Sequence, residues 1–194
     1  KDLPEKIEQI IFTQMGQSQR QLYEQFIQSV QKGLMKQVVN DGIAKHRMQI
    51  FEAILRLRQI CCHPLLVDHL LEEDSSRESG KFELFCSDVE EAVQEKSKIL
   101  VYSQFTSMLS LIGREFSKKG YTFAHLDGRI SQKDRDKAVR DFQENPDLSL
   151  LLVSLKVGGV GLNLTAADYV FLYEPWWNEA LENQAIDRAH RIGR

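Results

Sequence analysis

The sequence predicts an α/β fold in which a parallel β-sheet is covered on both faces by helices, with a smaller helical part before it. Three observations predict it. From Lys98 onward, short β-rich runs alternate with helical patterns. Runs such as "LSLLLVS" (148–154) are apolar at successive positions, as strands buried on both faces must be. Residues 18–60 carry helical rather than strand periodicity.

Taken in order, "KIEQIIFTQM" (6–15) reads as a strand. "SQRQLYEQFIQSVQKGLMKQVV" (18–39) and "KHRMQIFEAILRLRQI" (45–60) read as two long helices split by "NDG". Residues 71–96 hold nine acids against three bases and read as an exposed acidic connector and helix. "KILVYS" (98–103) is the first strand of the sheet, followed by an amphipathic helix to about Lys118. "YTFAHL" (121–126) is the next strand, and "SQKDRDKAVRDFQ" (131–143) the next helix, with Ser131 and Asp134 suited to its capped start. "LSLLLVS" and "DYVFLYE" (168–174) complete the strands. A last helix begins after Asn178, with Glu179 and Glu182 in its first turn, Arg188 and Arg191 in its last, and Gly193 as its stop. The domains expected are residues 1–70 (strand and helical appendage), 71–97 (connector and helix) and 98–194 (α/β core).

Composition narrows the function classes. With 42% hydrophobic and 27% charged residues, the chain has the content of an ordinary globular protein. No apolar run approaches the length of a membrane span, and the opening "KDLPEKIEQI" is not a signal peptide, so a soluble, intracellular protein is expected. A start at Lys1 and a stop at a motif edge suggest a piece of something longer. A net charge of −3 argues against nonspecific coating of nucleic acid. Residues 97–194, with twelve acids and thirteen bases, are where any DNA contact is expected. Cys61, Cys62 and Cys86 form no C-x-x-C pair and read as buried thiols rather than metal ligands.

In open parallel sheets, function gathers beyond the carboxyl ends of the strands. Here those ends read "SQFT", "LDGRIS", "SLKVGGVGLNL" and "EPWWN". Gly158, Gly159 and Gly161 suggest a nucleotide loop, yet a dinucleotide fingerprint would need glycine where Leu164 stands, and no G-x-x-x-x-G-K-[ST] exists in the chain. A plain tight turn remains an alternative. Ser154 and Lys156 beside it offer a hydroxyl and a cation to phosphate. Of the two tryptophans in "PWWN", one is expected to pack inward, leaving the other able to stack on a base or wedge into a groove; both being core is equally open. In "QAIDRAHRIGR" (184–194), Gln184, Arg188 and Arg191 fall on one helix face. Either they await an anion or the arginines simply favour the negative end of the helix dipole.

Five ordered stretches, "LRQICCHPLL" (57–66), "KILVYSQFTSML" (98–109), "LDGRIS" (126–131), "SLKVGGVGLNLTAADYVFLYEPWWN" (154–178) and "QAIDRAHRIGR", resemble the C-terminal helicase lobe of Swi/Snf-family ATPases of helicase superfamily 2. The resemblance covers nearly the whole chain and is weakest over residues 1–50 and 71–96. It implies a RecA-like three-layer α/β/α lobe that works opposite a first lobe carrying the P-loop and the acidic Mg²⁺ motif. ATP with Mg²⁺ is the implied cofactor, held mainly by that first lobe. It implies that Arg188 and Arg191 reach across to the ATP phosphates with Gln184 leading them, and that Gly159 and Gly161 line the cleft. Ser154, Lys156 and the loop beginning at Gln104 match positions near the DNA backbone, and Trp177 a tryptophan near the minor groove. Asp127 and Gly128 match a turn read as structural. Arg194 stands where the family usually has glutamine, which leaves any contact of that glutamine in doubt.

The implied function is the second motor lobe of a DNA-stimulated ATPase that translocates on duplex DNA and displaces a bound protein such as RNA polymerase or a nucleosome. Its partners would be double-stranded DNA, the first lobe and that displaced protein. A nucleoid-associated cytoplasmic location is expected for a bacterial member, to which the short 67–97 connection leans, and a nuclear one for a eukaryotic member. The competing readings are a DNA- or partner-binding module without catalysis, and the equivalent lobe of a strand-separating helicase.

Overall fold

The structure, a computed structural model, describes residues 7–70, 78–158, 164–175 and 179–187. The chain divides into two compact units, residues 11–85 and residues 86–194 joined by the first ten residues.

The first unit is helical. Helix α1 (Gln17–Lys32) and helix α2 (Leu34–Asp41) replace the single long helix expected over 18–39. The break is at Gly33, whose φ/ψ of −97°/−81° leaves the helical region. The next interruption is at Gly42, in the "NDG" turn, where φ is +87° and an L side chain would be strained. Helix α3 (Arg47–Cys62) then packs on α1, burying Leu22, Ile60 and Val67 with Tyr23 and Phe26 against them. Gln19 is buried without penalty because its Nε2 donates to the Ile60 carbonyl at 2.7 Å, satisfying an acceptor near the end of α3.

The strand expected over residues 6–15 is absent from the described part of that stretch. Residues 7–15 join no ladder, and Ile7, Ile10 and Phe12 stand at 90%, 80% and 88% exposure. A strand is defined by its partner, and a run of β-favouring residues does not supply that partner.

Helix α4 (Gly80–Gln94) buries Phe85, Cys86, Val89 and Ala92, so the acidic region does contain an amphipathic helix. The second unit then builds a four-stranded parallel sheet in the order β2–β3–β1–β4. Its strands are β1 (Ile99–Ser103), β2 (Phe123–Leu126), β3 (Leu150–Ser154) and β4 (Tyr169–Leu172). The central pair, β1 and β3, is buried at every position, which is why both read as continuous apolar runs. The edge strands β2 and β4 are only partly buried.

The connections take opposite faces, as right-handed crossovers in opposite directions require. Helix α6 (Gln132–Glu144) covers one face, with Phe142 buried among Leu100, Tyr102, Leu126, Leu151 and Val153. Helix α5 (Thr106–Lys118) covers the other, where Gly113 sits so close that a Cβ there would meet the Phe123 ring at 2.8 Å. This is the three-layer α/β/α arrangement expected. Ser131 caps α6 as its sequence suggests, accepting from the Asp134 N–H at 3.2 Å and donating to the Asp134 carboxylate at 2.7 Å. A four-residue turn of helix, α7 (Leu155–Gly158), follows β3, and α8 (Glu179–Ile186) begins where the sequence places the last helix.

Candidate functional site

The registers align the four strand exits. Leu126, Val153, Tyr102 and Leu172 lie side by side, so the loops that leave β2, β3, β1 and β4 form a row along one edge. Neighbouring strands are about 4.8 Å apart, which sets the spacing of that row. Along it come Asp127 to Arg129, then Lys156, then Gln104, then Glu174. A strand order that scatters these residues in sequence thus gathers them on one rim, the usual location of ligands in open α/β sheets.

At the β2 exit, Asp127 is buried while Arg129 is largely exposed. The carboxylate accepts from the Arg129 backbone N–H at 2.9 Å, from its Nε at 2.8 Å and from Nη2 at 2.5 Å. The sequence therefore closes its own turn, and the rest of the guanidinium fork faces water. The Arg129 guanidinium holds the Asp127 carboxyl below the usual carboxylate range. A carboxyl whose folded pKa is depressed stabilises the fold above its unfolded pKa of about 4 and loses that contribution as pH falls through the folded value. Asp127→Asn is accordingly expected to flatten the acid limb of the stability profile below about pH 4, read by urea unfolding across pH. An unchanged limb would mean that the pair contributes nothing.

At the β3 exit, Ser154 is buried at 1% exposure, whereas Lys156 is exposed in α7. Ser154 lies in register with Ser103 of β1, so both hydroxyl residues occupy the ends of the two central strands. At the β1 exit, Gln104 is half-buried and its backbone N–H donates to Glu174 Oε1 at 2.5 Å. Glu174, at the β4 exit, is 4% exposed and also accepts from Ser103 Oγ, at 2.9 and 3.0 Å on its two oxygens. In the sequence Glu174 ends "DYVFLYE" and begins "EPWWN", with no role of its own. The signal available was an acid closing an apolar strand, which does not name its partner.

The structure thus brings Ser154, Lys156 and Gln104 onto one rim. Gln184 lies in α8, and its side chain is outside the described residues. Gly159, Gly161, Trp177, Arg188, Arg191 and Arg194, together with the expected cap Asn178, also lie outside them.

His63, beside the paired cysteines, has its Nδ1 occupied by the Leu65 N–H at 3.1 Å and its ring edge-on to Phe82 at 5.1 Å. Burial pushes its pKa down to about 4, so it is neutral at ordinary pH. Cys62 and Cys86 are buried, and burial raises the Cys61 thiol above its usual pKa. No group of three or more metal-ligating side chains occurs among the described residues.

Comparison with known proteins agrees with this architecture. The helicase conserved C-terminal domain matches residues 80–193, and the SNF2-related domain matches residues 1–66. An uncharacterized ATP-dependent helicase of Mycoplasma pneumoniae is 36% identical over 100% of the chain, which spans 18% of that relative. The putative ATP-dependent helicase/translocase YwqA of Bacillus subtilis is likewise 36% identical over 100% of the chain and 21% of its own length. The TATA-binding protein-associated factor MOT1 of Saccharomyces cerevisiae is 34% identical, again over 100% of the chain but only 12% of its own length. The chain therefore spans about a fifth or less of these relatives. Among solved structures, the C-terminal part of the Fun30 ATPase domain superposes with a TM-score of 0.82 over 100% of the chain and 83% of that structure, at 24% identity, which speaks to fold alone. The Sulfolobus solfataricus SWI2/SNF2 ATPase core in complex with double-stranded DNA is 31% identical over 93% of the chain and 36% of that structure, with a TM-score of 0.75. With one domain family matching well over half of the chain and the fold reproduced by its solved members, the chain belongs to the helicase C-terminal domain family and is the C-terminal, RecA-like lobe of a Snf2-family superfamily 2 ATPase.

Proposed function

We propose that this lobe is the second half of a DNA-stimulated motor that translocates on duplex DNA and remodels protein–DNA complexes. The observation that carries the reading is the rim: parallel register sets the exposed Lys156 and the Gln104 loop side by side at the carboxyl edge of the sheet. An exposed cation beside a strand-exit loop is suited to phosphate, since backbone contacts of this kind fix register on a duplex without reading sequence. The likeness to a Snf2-type core solved with double-stranded DNA supports it. Trp177, after β4, is assigned to the same surface, with the buried Ser154 supporting the β3 exit beneath it. ATP with Mg²⁺ is assigned to a cleft shared with the first lobe, with Gly159, Gly161, Gln184, Arg188 and Arg191 on this side of it. The cargo is a DNA-bound protein, of which RNA polymerase and the nucleosome are the two expected kinds.

Phosphate contacts are tested by salt. In the full-length protein, Lys156→Ala is expected to weaken duplex binding equally across sequences and to reduce the slope of log K against log [salt] by about one. An unchanged slope would remove Lys156 from the interface.

The 194-residue chain contains no G-x-x-x-x-G-K-[ST] string to cradle the phosphates. By itself it is expected to show no ATP turnover above background, with or without duplex DNA, in a phosphate-release assay. Turnover by the chain alone would overturn the two-lobe reading. If the full-length protein binds DNA yet hydrolyses nothing, the non-catalytic module is the correct alternative. An unwinding assay that releases a strand would instead favour the helicase.

A further inference from the structure

The backbone ladder between β1 and β4 ends with the Tyr173 N–H donating to the Tyr102 carbonyl at 3.0 Å. Beyond that point the chains would be free to separate, one into the loop that starts at Gln104 and the other into "EPWWN". They do not separate at once, because the side chain of Glu174 continues the connection. Its Oε1 takes the Gln104 N–H at 2.5 Å, and both oxygens lie within 3.0 Å of Ser103 Oγ. That hydroxyl in turn accepts from the Phe105 N–H at 3.1 Å. Phe105 is the residue that precedes α5. Three successive residues at the β1 exit are thereby organised, directly or through one hydroxyl, by one carboxylate from the neighbouring strand.

Placing an acid here has a physical cost, since a carboxylate taken out of water must be repaid by hydrogen bonds that address its charge. At Glu174 that compensation comes from the Gln104 backbone N–H and the Ser103 hydroxyl. The donors satisfied are those a strand exit otherwise leaves without a partner. The expense would be unnecessary if the loop only needed to end a strand. It is explained if the two loops must hold a fixed relation.

We infer that Glu174 is a positioning residue that locks the start of the Gln104 loop to the end of β4, so that the loop approaches the DNA backbone in one fixed position. This rests on the DNA-binding reading above, and the test separates the two.

The link itself is read by amide hydrogen exchange on the 194-residue chain and on the full-length protein. Glu174→Ala is expected to speed exchange at Gln104 and Phe105 at least about tenfold while leaving the β3 amides unchanged. Glu174→Gln, which retains an acceptor oxygen at the same reach, is expected to restore most of the protection. Should Glu174→Ala fail to fold, Ser103→Ala removes only the relay hydroxyl and is expected to expose the Phe105 amide.

The consequence is read by DNA-stimulated ATP hydrolysis of the full-length protein. Glu174→Ala is expected to raise the duplex concentration for half-maximal stimulation about tenfold. KM for ATP and kcat at saturating DNA should stay within about twofold of wild type. Ser103→Ala combined with Glu174→Ala should add little to Glu174→Ala alone, because the Ser103 hydroxyl acts through the same carboxylate. Unaltered exchange at Gln104 in Glu174→Ala, or a Gln variant as impaired as the Ala variant, would overturn the link. Protection that depends on Glu174 in a full-length protein whose turnover ignores DNA would keep the link and overturn the DNA-binding reading together with the role assigned to it.

Discussion

Arg191→Ala in the full-length protein is expected to lower ATP hydrolysis by on the order of 10³ to 10⁵ while leaving duplex affinity within about twofold. Phosphoryl transfer spreads negative charge over the transferring oxygens, and a guanidinium fork meets that charge bidentately as it develops. The spacing of four and three in the sequence puts Gln184, Arg188 and Arg191 on one face of the predicted last helix, of which the structure describes Glu179–Ile186 as α8. If the arginines served only the helix dipole, the loss would be about 0.3 to 1 kcal/mol of stability and turnover would follow the folded fraction. Single-turnover hydrolysis measured beside DNA affinity distinguishes the two. Loss of both in equal proportion would make Arg191 structural.

Phe142→Ala is expected to destabilise the α/β unit by about 3–5 kcal/mol. Phe142 is the buried anchor of α6, fully enclosed in the cluster that also holds Tyr102, Leu126, Leu148 and Leu151. It has a second role. The Lys98 ammonium lies 5.2 Å over its ring and donates to the Asn145 carbonyl at 2.8 Å as well as to the Phe142 carbonyl. The residue before β1 thus closes the end of α6, and the ring fills the space under that closure. Removing the ring leaves a cavity and an ammonium without its apolar bed, so both terms act in one direction. At about 2–4 °C per kcal/mol for a chain of this size, thermal unfolding should begin roughly 10 °C lower. A shift under about 2 °C would mean that the α6 face collapses around the gap.

Much of the fold was legible in particular residues. "LSLLLVS" reads as a doubly buried strand and is one, since β3 sits second in the order with a neighbour on each side and a helix over each face. Ser131 and Asp134 predict a cap and form it. Where the reading departed, it did so for want of information beyond the local segment. Residues 6–15 hold the β-branched and aromatic residues of a strand, but composition cannot supply a neighbouring strand to pair with. The helix expected over 18–39 breaks at Gly33, a break the sequence does not announce because a lone glycine is also tolerated inside a helix.

The rim was legible only in part. Gln104, Ser154 and Lys156 stand out in the sequence because strand exits in parallel sheets are where ligands gather and because the five motifs carry a resemblance. Nothing in the sequence places them side by side, and nothing distinguishes the buried Ser154 from the exposed Lys156 two residues later. Glu174 was missed as a participant altogether.

By itself, then, the sequence determined what depends on neighbours within a few residues: helix and strand periods, caps, the turn closed by Asp127 and Arg129, and the motif order that marks the family. Tertiary structure alone decided what depends on strand order. The carboxylate of Glu174 meets Ser103 across 71 positions of chain because β4 chose β1 as its neighbour. That choice is made by how whole faces pack and by the handedness of the crossovers, quantities that no single stretch of residues contains.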